Sequence, residues 1–386
     1  MAVPYARLSA FYAVYFALFG SWLPFWPLYL QQLGYGAAAI GLLTGMIQTT
    51  RIVGPSLWGW LAHRTGRRMA VIRGGALAAL IMFCGVFWRQ DFLWLAIVVT
   101  GFTLFWNAML AQFEVVTLAH LGTQAHRYSL IRVWGSLGFI AAVVGLGFIF
   151  DHIDISWLPV ILALVLTGIV IASFAVADVR RAGGSSGNAP GESWSTLLRH
   201  PPLLAFLGSC FLLQVAHGPY YTFFSVYLEL YGYSRGAIGL LWALAVCAEV
   251  GLFLVMHRLL AAFAIRTLLL ASLALATLRW LLTGLLADSL AILVVAQCLH
   301  AASFAAYHAC AVELVRGFFS EARRGQGMAL YSGISYGAGG GVGAVVSGLL
   351  WDWSPAVTFV FAAVAALLAW ALVWGWIGRP GVQTTG

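Results

Sequence analysis

The sequence predicts an all-α membrane protein of twelve transmembrane helices in two pseudo-symmetric six-helix halves. Composition is the first observation behind this: of 386 residues, 62% are hydrophobic and 8% charged, too few polar side chains to coat a water-soluble chain of this length. Apolar run length is the second. A spanning helix takes about 20 apolar residues, and the runs here are long and lack the period-two alternation of barrel strands. The third is an internal repeat: YLQQLGYGAAAIGLL at Tyr29–Leu43 returns as YLELYGYSRGAIGLL at Tyr227–Leu241, an offset of 227 − 29 = 198.

The spans are expected at about 8–32, 39–61, 70–88, 92–117, 129–150 and 157–177, then at about 203–229, 237–257, 266–286, 290–314, 327–350 and 356–377. The first run is full length, carries Pro24 and Pro27 and lacks a small-residue cleavage site, so it reads as a span rather than a cleaved signal. The repeat persists further along. Phe105 and Glu114 of span four return 199 positions later as Phe304 and Glu313; Gly138, Gly147 and Asp151 of span five return 201 positions later as Gly339, Gly348 and Asp352. Span eleven adds Gly333, Gly337, Gly340, Gly341 and Gly343, which allow close backbone approach. The polar interval 178–202, with GGSSGNAPGES, reads as a flexible cytoplasmic linker between an N-terminal half, 1–177, and a C-terminal half, 203–386. An even number of spans per half gives the halves parallel topology about an axis along the membrane normal.

The net charge is +8, and the basic residues are all arginine. With the N-terminus inside, Arg7, Arg64, Arg67, Arg68, Arg73, Arg127, Arg180, Arg181, Arg199, Arg258, Arg266, Arg316, Arg323, Arg324 and Arg379 fall on the cytoplasmic side, and Arg89 and Arg235 outside. This asymmetry puts both termini in the cytoplasm of a bacterial inner (plasma) membrane protein and argues against a nucleic-acid partner. Cys84, Cys210, Cys247, Cys298 and Cys310 lie in spans at no metal-ligand spacing and read as small apolar fillers. No cofactor or metal is expected, and the short loops suit a monomer.

Between spans two and three stands Gly59-Trp-Leu-Ala-His63-Arg64-Thr-Gly66-Arg67-Arg68. It resembles the loop motif of the major facilitator superfamily (glycine, three residues, an acid, a basic residue, any residue, glycine, two basic residues), with His63 in place of the acid. The resemblance implies a cytoplasmic gate built from His63, Arg64, Arg67 and Arg68. Glu114, near the cytoplasmic end of span four, is expected to join it by binding Arg64, Arg67 or Arg127, or else to touch solute.

A charge at the bilayer centre costs about 2.5–3.5 kcal/mol, so one that is kept there usually faces the bundle interior and has a function. The repeat sets Arg51 against Glu249 at the 198 offset, deep in spans two and eight. Arg132 enters span five and Arg279 lies mid-span in the ninth; a guanidinium there can fork onto a carboxylate of protein or solute. Polar stripes accompany them. Gln297, His300, Phe304, Tyr307 and His308 share a face of span ten, Gln214, His217 and Tyr221 a face of span seven, and Trp22, Trp26 and Tyr29 a face of span one. Three histidines on two stripes favour proton handling or solute hydrogen bonding.

Leu23-Pro-Phe-Trp26, Thr50-Arg51-Ile-Val-Gly54, Arg132-Val-Trp-Gly-Ser-Leu-Gly-Phe139, Leu212-Leu-Gln214-Val-Ala-His217 with Tyr220-Tyr221, Glu249-Val250, Arg279-Trp280 and Gln297-Cys-Leu-His300 with His308 resemble the phenylpropionate-permease type of the superfamily over nearly the whole chain. In outline the charges are also similar to those of lactose permease, although His308 and Glu313 stand five apart where that permease has three. The resemblance implies a proton-coupled symporter of a small organic solute such as an aromatic monocarboxylate, working by alternating access with its solute site at mid-membrane between the halves. Its partners are then the solute, protons and the lipid bilayer. Glu249, Glu313 and His308 are the proton-coupling candidates. Arg51, Arg132, Arg279, Gln214, His217, Tyr221, Gln297, His300, Trp22 and Trp26 are the solute-binding candidates. A sugar/proton symporter is the alternative, and a proton-driven drug exporter a weaker one, since no glycine-proline motif follows Arg132. An enzyme is disfavoured: Gly-x-Ser-x-Gly and His-Glu-x-x-His are both absent.

Overall fold

Proline and glycine decide where these apolar runs bend and how closely they pack. The computed structural model describes residues 3–178 and 200–378. Most of the expected linker 178–202, and Arg180, Arg181, Arg199 and Arg379 of the charge map, lie outside the described residues. All regular elements among those described are helical.

The run expected at 8–32 is two helices, α1 (Tyr5–Trp22) and α2 (Trp26–Gln32). Pro24 lies in the turn between them, and Pro27 sits in the first turn of α2, where a missing N–H costs nothing. α3 (Ala37–Thr65) keeps Pro55 inside it, so no N–H closes onto the carbonyl of Arg51 four residues back. After α4 (Arg68–Cys84), Asp91 caps α5 (Phe92–Trp106) by accepting the Trp94 N–H at 3.1 Å. Then come α6 (Leu110–Leu121), a 3-10 turn at Gly122–Arg127, α7 (Tyr128–Phe150) and α8 (Leu158–Ala175).

The later part of the chain has α9 (Pro201–Leu230), α10 (Arg235–Ala262), α11 (Ile265–Leu285), α12 (Leu290–Cys298), α13 (Tyr307–Phe318), α14 (Arg324–Ser332), α15 (Gly340–Trp351) and α16 (Pro355–Trp376). π-helical turns at Ala301–Ala306 and Gly333–Gly339 join α12 to α13 and α14 to α15.

Ten helices among the described residues are long and apolar enough to cross a membrane. Two expected spans account for the difference from twelve. Phe92–Phe150 counts as a single run of 59 residues, roughly 90 Å if it were one straight helix, but it is broken at Asn107–Met109 and at Gly122–Arg127. Ala37–Thr65 is long enough but less apolar than these ten, because Gln48, Thr49, Thr50, Arg51, His63 and Arg64 dilute it.

Among the described residues, those up to 178 pack with Phe224–Ala243 as one unit, and 200–223 pack with the chain from Leu244 onward as a second. The repeat recurs in how each unit is packed. In the first, Gly138 abuts Ala13 and a β-carbon on Gly20 would lie 2.5 Å from the Phe139 carbonyl oxygen. In the second, a β-carbon on Gly339 would lie 2.5 Å from the carbonyl oxygen of Phe211, and Gly218 abuts Gly343. Ala13 and Phe211, like Gly20 and Gly218, are 198 apart. Pro219 also supplies no N–H to the Val215 carbonyl, and Gly343 lies against that oxygen, 2.5 Å from where its β-carbon would be. The duplicated turn keeps its backbone too: Gly34 and Gly232 both have positive φ, 86° and 78°.

The segment 224–243 is clasped onto the end of α7. Arg235 Nε donates to Glu229 at 2.7 Å and its Nη1 to the Phe150 carbonyl at 3.3 Å, while the Gly236 N–H donates to Asp151 at 3.1 Å. Exposed Ile81, Leu164, Ile171, Leu254 and Leu349 give both units the apolar exterior a bilayer requires. Of the cysteines, Cys210 and Cys310 are buried fillers, whereas Cys84, Cys247 and Cys298 are exposed.

Candidate functional site

The densest set of buried polar side chains belongs to the second unit and is assembled by helical spacing. On α9, Gln214, His217 and Tyr221 recur every three to four residues, with Tyr220 beside them. Arg279 and Trp280 come from α11, Gln297 from the end of α12, His300 from the position that opens the π turn, and Ser303 and Phe304 from the turn itself. A π turn inserts one residue into the helical ladder and re-aims the side chains on its far side, a feature frequent at functional sites.

Arg279 is completely buried. Its guanidinium carbon lies 4.1 Å from the Trp280 ring centroid and 4.4 Å from that of Tyr220, contacts worth up to about 2 kcal/mol each when desolvated. Nη1 donates to Ser303 Oγ at 3.2 Å, but Nε and Nη2 have no hydrogen-bond partner. Among the described residues no carboxylate is ion-paired with it. A buried cation held by ring faces and hydroxyls, with no carboxylate paired to it, is a strong receptor for an anion.

The neighbours show the same incompleteness. His217 Nδ1 lies 2.8 Å from the Leu213 carbonyl, which can only accept, so that nitrogen carries the hydrogen and Nε2 is left as a buried acceptor without a partner. Tyr220 donates to Gln297 Oε1 at 3.0 Å, leaving Gln297 Nε2 unpaired; Gln214 Oε1, Trp280 Nε1 and His300 Nδ1 are likewise buried without partners. Orphaned donors and acceptors this close together call for water or a polar ligand.

His300 connects this buried layer to a more open one. Its Nε2 lies 3.6 Å from Glu249 Oε2, and the Glu249 side chain is 20% exposed against 7% for His300. The His300 ring stacks on Phe304 at 5.3 Å and lies 6.1 Å from that of His217. Further along the same helical run, His308 Nδ1 meets the hydroxyls of Tyr331 at 3.0 Å and Tyr336 at 3.2 Å. Glu313 does not join them; it accepts from Arg316 at 2.6 Å, three residues along its own helix.

The first unit holds a separate basic centre. The Arg132 guanidinium lies 4.0 Å from the Phe16 ring centroid and 5.6 Å from that of Tyr12, and Glu114 interacts with Arg132 and Tyr128. Arg51 lies over Phe19 at 5.9 Å. Trp22 and Trp26 stack at 4.2 Å in a buried aromatic cluster with Phe83 and Phe102. In the loop motif, Gly66 ends α3 with φ 64°, the left-handed cap that favours glycine. Arg64 lies 5.3 Å over Trp60, Arg68 Nη1 donates to Gln112 at 2.5 Å, and His63 and Arg67 are exposed.

Of the sequence candidates, the structure gathers Gln214, His217, Gln297, His300, Arg279 and Glu249 into one cluster, with Tyr221 stacked on His217 at 5.7 Å. His308 stands at the edge of the cluster. Tyr220, Trp280, Ser303, Tyr331 and Tyr336 join it without having been singled out. Tyr220 and Trp280 were visible only as neighbours of chosen residues, and Ser303 becomes a partner of Arg279 through the π turn, which has no spacing signature.

Comparison with known proteins agrees with this architecture. The MFS_1 like family matches residues 5–362. A protein of Escherichia coli (strain K12) named probable 3-phenylpropionic acid transporter is 30% identical over 375 residues, 94% of this chain and 95% of that protein. The maltose permease of Geobacillus stearothermophilus is 26% identical over 367 residues, 93% of this chain and 91% of the permease. Among solved structures, the nucleoside transporter NupG is similar with a TM-score of 0.82 at 17% identity, covering 98% of this chain and 100% of that one.

Proposed function

This chain belongs to the MFS_1 like family of major facilitator transporters, and on that premise we propose that it carries a small aromatic monocarboxylate together with protons, as a symporter working by alternating access. That it is an integral membrane transporter of a small-molecule solute follows from its family and relatives. The choice of solute rests chiefly on Arg279, a fully buried guanidinium with two unpartnered nitrogens beside two aromatic rings. A carboxylate suits the open nitrogens by charge, and an aryl group suits surroundings built from the rings of Trp280 and Tyr220, with Tyr221 and Phe304 packed on His217 beside them. The name of the Escherichia coli relative points the same way.

In this reading Glu249 carries the proton. Deprotonated, it adds a negative charge 3.6 Å from His300 that opposes an incoming solute carboxylate; a proton taken up from water removes that charge. Solute carboxylate on Arg279 and a proton on Glu249 then favour each other's presence, and that coupling free energy ties the two fluxes. His308, with Tyr331 and Tyr336, offers a chain of exchangeable hydrogens beside them. Arg132 with Glu114, and Arg51, supply basic character in the first unit.

The proposal extends to the whole chain: twelve spans, obtained by adding Ala37–Thr65 to the ten apolar helices and dividing Phe92–Phe150 at Gly122–Arg127; six-helix halves 1–177 and 203–386 joined by 178–202; both termini in the cytoplasm; a monomer in the inner membrane; and a cytoplasmic gate at His63, Arg64, Arg67, Arg68 and Glu114. The second reading, a sugar/proton symporter, is favoured by the amides Gln214 and Gln297 and by the name of the maltose permease relative. Counterflow in proteoliposomes with labelled 3-phenylpropionate and labelled maltose separates the two. Exchange of the aryl acid alone supports the proposal, and exchange of the sugar alone replaces it.

A further inference from the structure

Beside the loop motif, and apart from the solute site, lies a groove of about 350 Å³ between α3 and α4, floored by Phe105 of α5. Its walls are Trp58 and Leu61 on one side and Val71, Gly74 and Gly75 on the other, and Thr65 and Arg67 stand at its end beside the turn. Gly74 keeps it open, since a β-carbon there would meet nothing within 4 Å, whereas Gly75 is packed tightly on Ala108. Trp58 is fixed as a wall by its indole N–H, which donates to the Leu104 carbonyl at 2.8 Å. The surface around the groove is apolar and exposed at Leu57, Trp60 and Leu77, as a helix face toward acyl chains must be.

Charge decides the occupant. Residues 1–90 contain no Asp or Glu at all, and His63 stands where the motif has its acid. Of the loop arginines, Arg64 is engaged with the Trp60 ring and Arg68 with Gln112. Arg67 is exposed at the mouth of the groove, with no carboxylate ion-paired to it among the described residues. A slot that is apolar along its length and cationic at one end matches a molecule with an acyl chain and an anionic head.

We propose that this groove binds an anionic phospholipid, its phosphate on Arg67 and one acyl chain lying over Gly74 between Trp58 and Val71. The bound lipid supplies the negative charge that the loop lacks. The site involves neither Arg279 nor Glu249 and stands whatever the solute is.

Native mass spectrometry of the full-length protein, released from mixed phosphatidylglycerol and phosphatidylcholine micelles, tests it. The wild-type protein retains phosphatidylglycerol over phosphatidylcholine by at least ~5-fold, the equivalent of about 1 kcal/mol for one arginine at a headgroup. Arg67→Gln and Gly74→Leu each bring that ratio close to one, the first by removing the charge and the second by filling the slot, while Arg89→Gln, remote in sequence from the groove, keeps it. Equal retention of the two lipids by the wild type, an unchanged ratio in both variants, or full competition by inorganic phosphate, which would mean an anion site without a lipid, overturns the proposal.

Discussion

Arg279 concentrates the functional argument at the scale of single residues. Lysine keeps the charge but not the planar fork or the stacking on two rings. Arg279→Lys is therefore expected to raise the KM for an aryl acid by roughly 10–100-fold, the loss of one or two charge-assisted hydrogen bonds, and Arg279→Gln to abolish saturable uptake. Glu249→Gln separates coupling from binding: pH-gradient-driven uptake disappears while solute exchange without a gradient persists, and an unchanged gradient dependence would remove Glu249 from the coupling role. Asp154, outside the spans, predicts an acid response of a different kind. Hydrogen bonds from the Ser156 side chain and backbone, then from Gln32, hold its carboxyl down to about 2 from 3.8. Because the folded value is the lower one, the stabilisation is fully present above about 4 and fades as the pH falls toward 2. The Tm difference between wild type and Asp154→Asn should accordingly stay constant from neutral pH to about 5 and shrink below it.

Helix crossings are where the duplication acts at the scale of elements, and there it was partly legible. The span-eleven glycines announced close approach, whereas Gly138 and Gly147 stood out only as part of the repeat; the structure sets the backbone of Ala13, Arg235 and Phe211 against Gly138, Gly147 and Gly339. Gly343 is packed against the Val215 carbonyl released by Pro219, whereas a β-carbon on Gly251 would meet open space. Gly343→Val should lower Tm through overpacking worth about 1–3 kcal/mol, and Gly251→Ala should hold or raise it, since alanine is the better helix residue by roughly 0.5–1 kcal/mol. What the sequence hid was local geometry. Ala301–Ala306 and Gly333–Gly339 are small-residue stretches as compatible with an α-helix as with the π turns they form. The break at Asn107–Met109 carries no proline to announce it.

For the whole molecule, composition and the 198-residue offset were enough for an all-helical membrane protein built on a repeat, and the family match agrees. The packing units obey a finer rule than the repeat, because the outer part of the α9–α10 hairpin, Phe224–Ala243, is held by the end of α7 through Arg235, Glu229 and Asp151. No pattern along the chain signals that regrouping, since it depends on backbone contacts at Gly147 and Gly239 made only once the helices are assembled. The candidate site was legible as a set of residue types but not as a cluster: Tyr220 and Trp280 acquire meaning only when both rings are seen on the Arg279 guanidinium. The central claim is that the protein ties an aryl carboxylate to a proton. Uptake of labelled 3-phenylpropionate into proteoliposomes, with and without an inward proton gradient, tests it most directly. The account predicts accumulation that requires the gradient, collapses with a protonophore and is lost in Arg279→Gln; uptake indifferent to the gradient, or maltose accumulation in place of the acid, would contradict it.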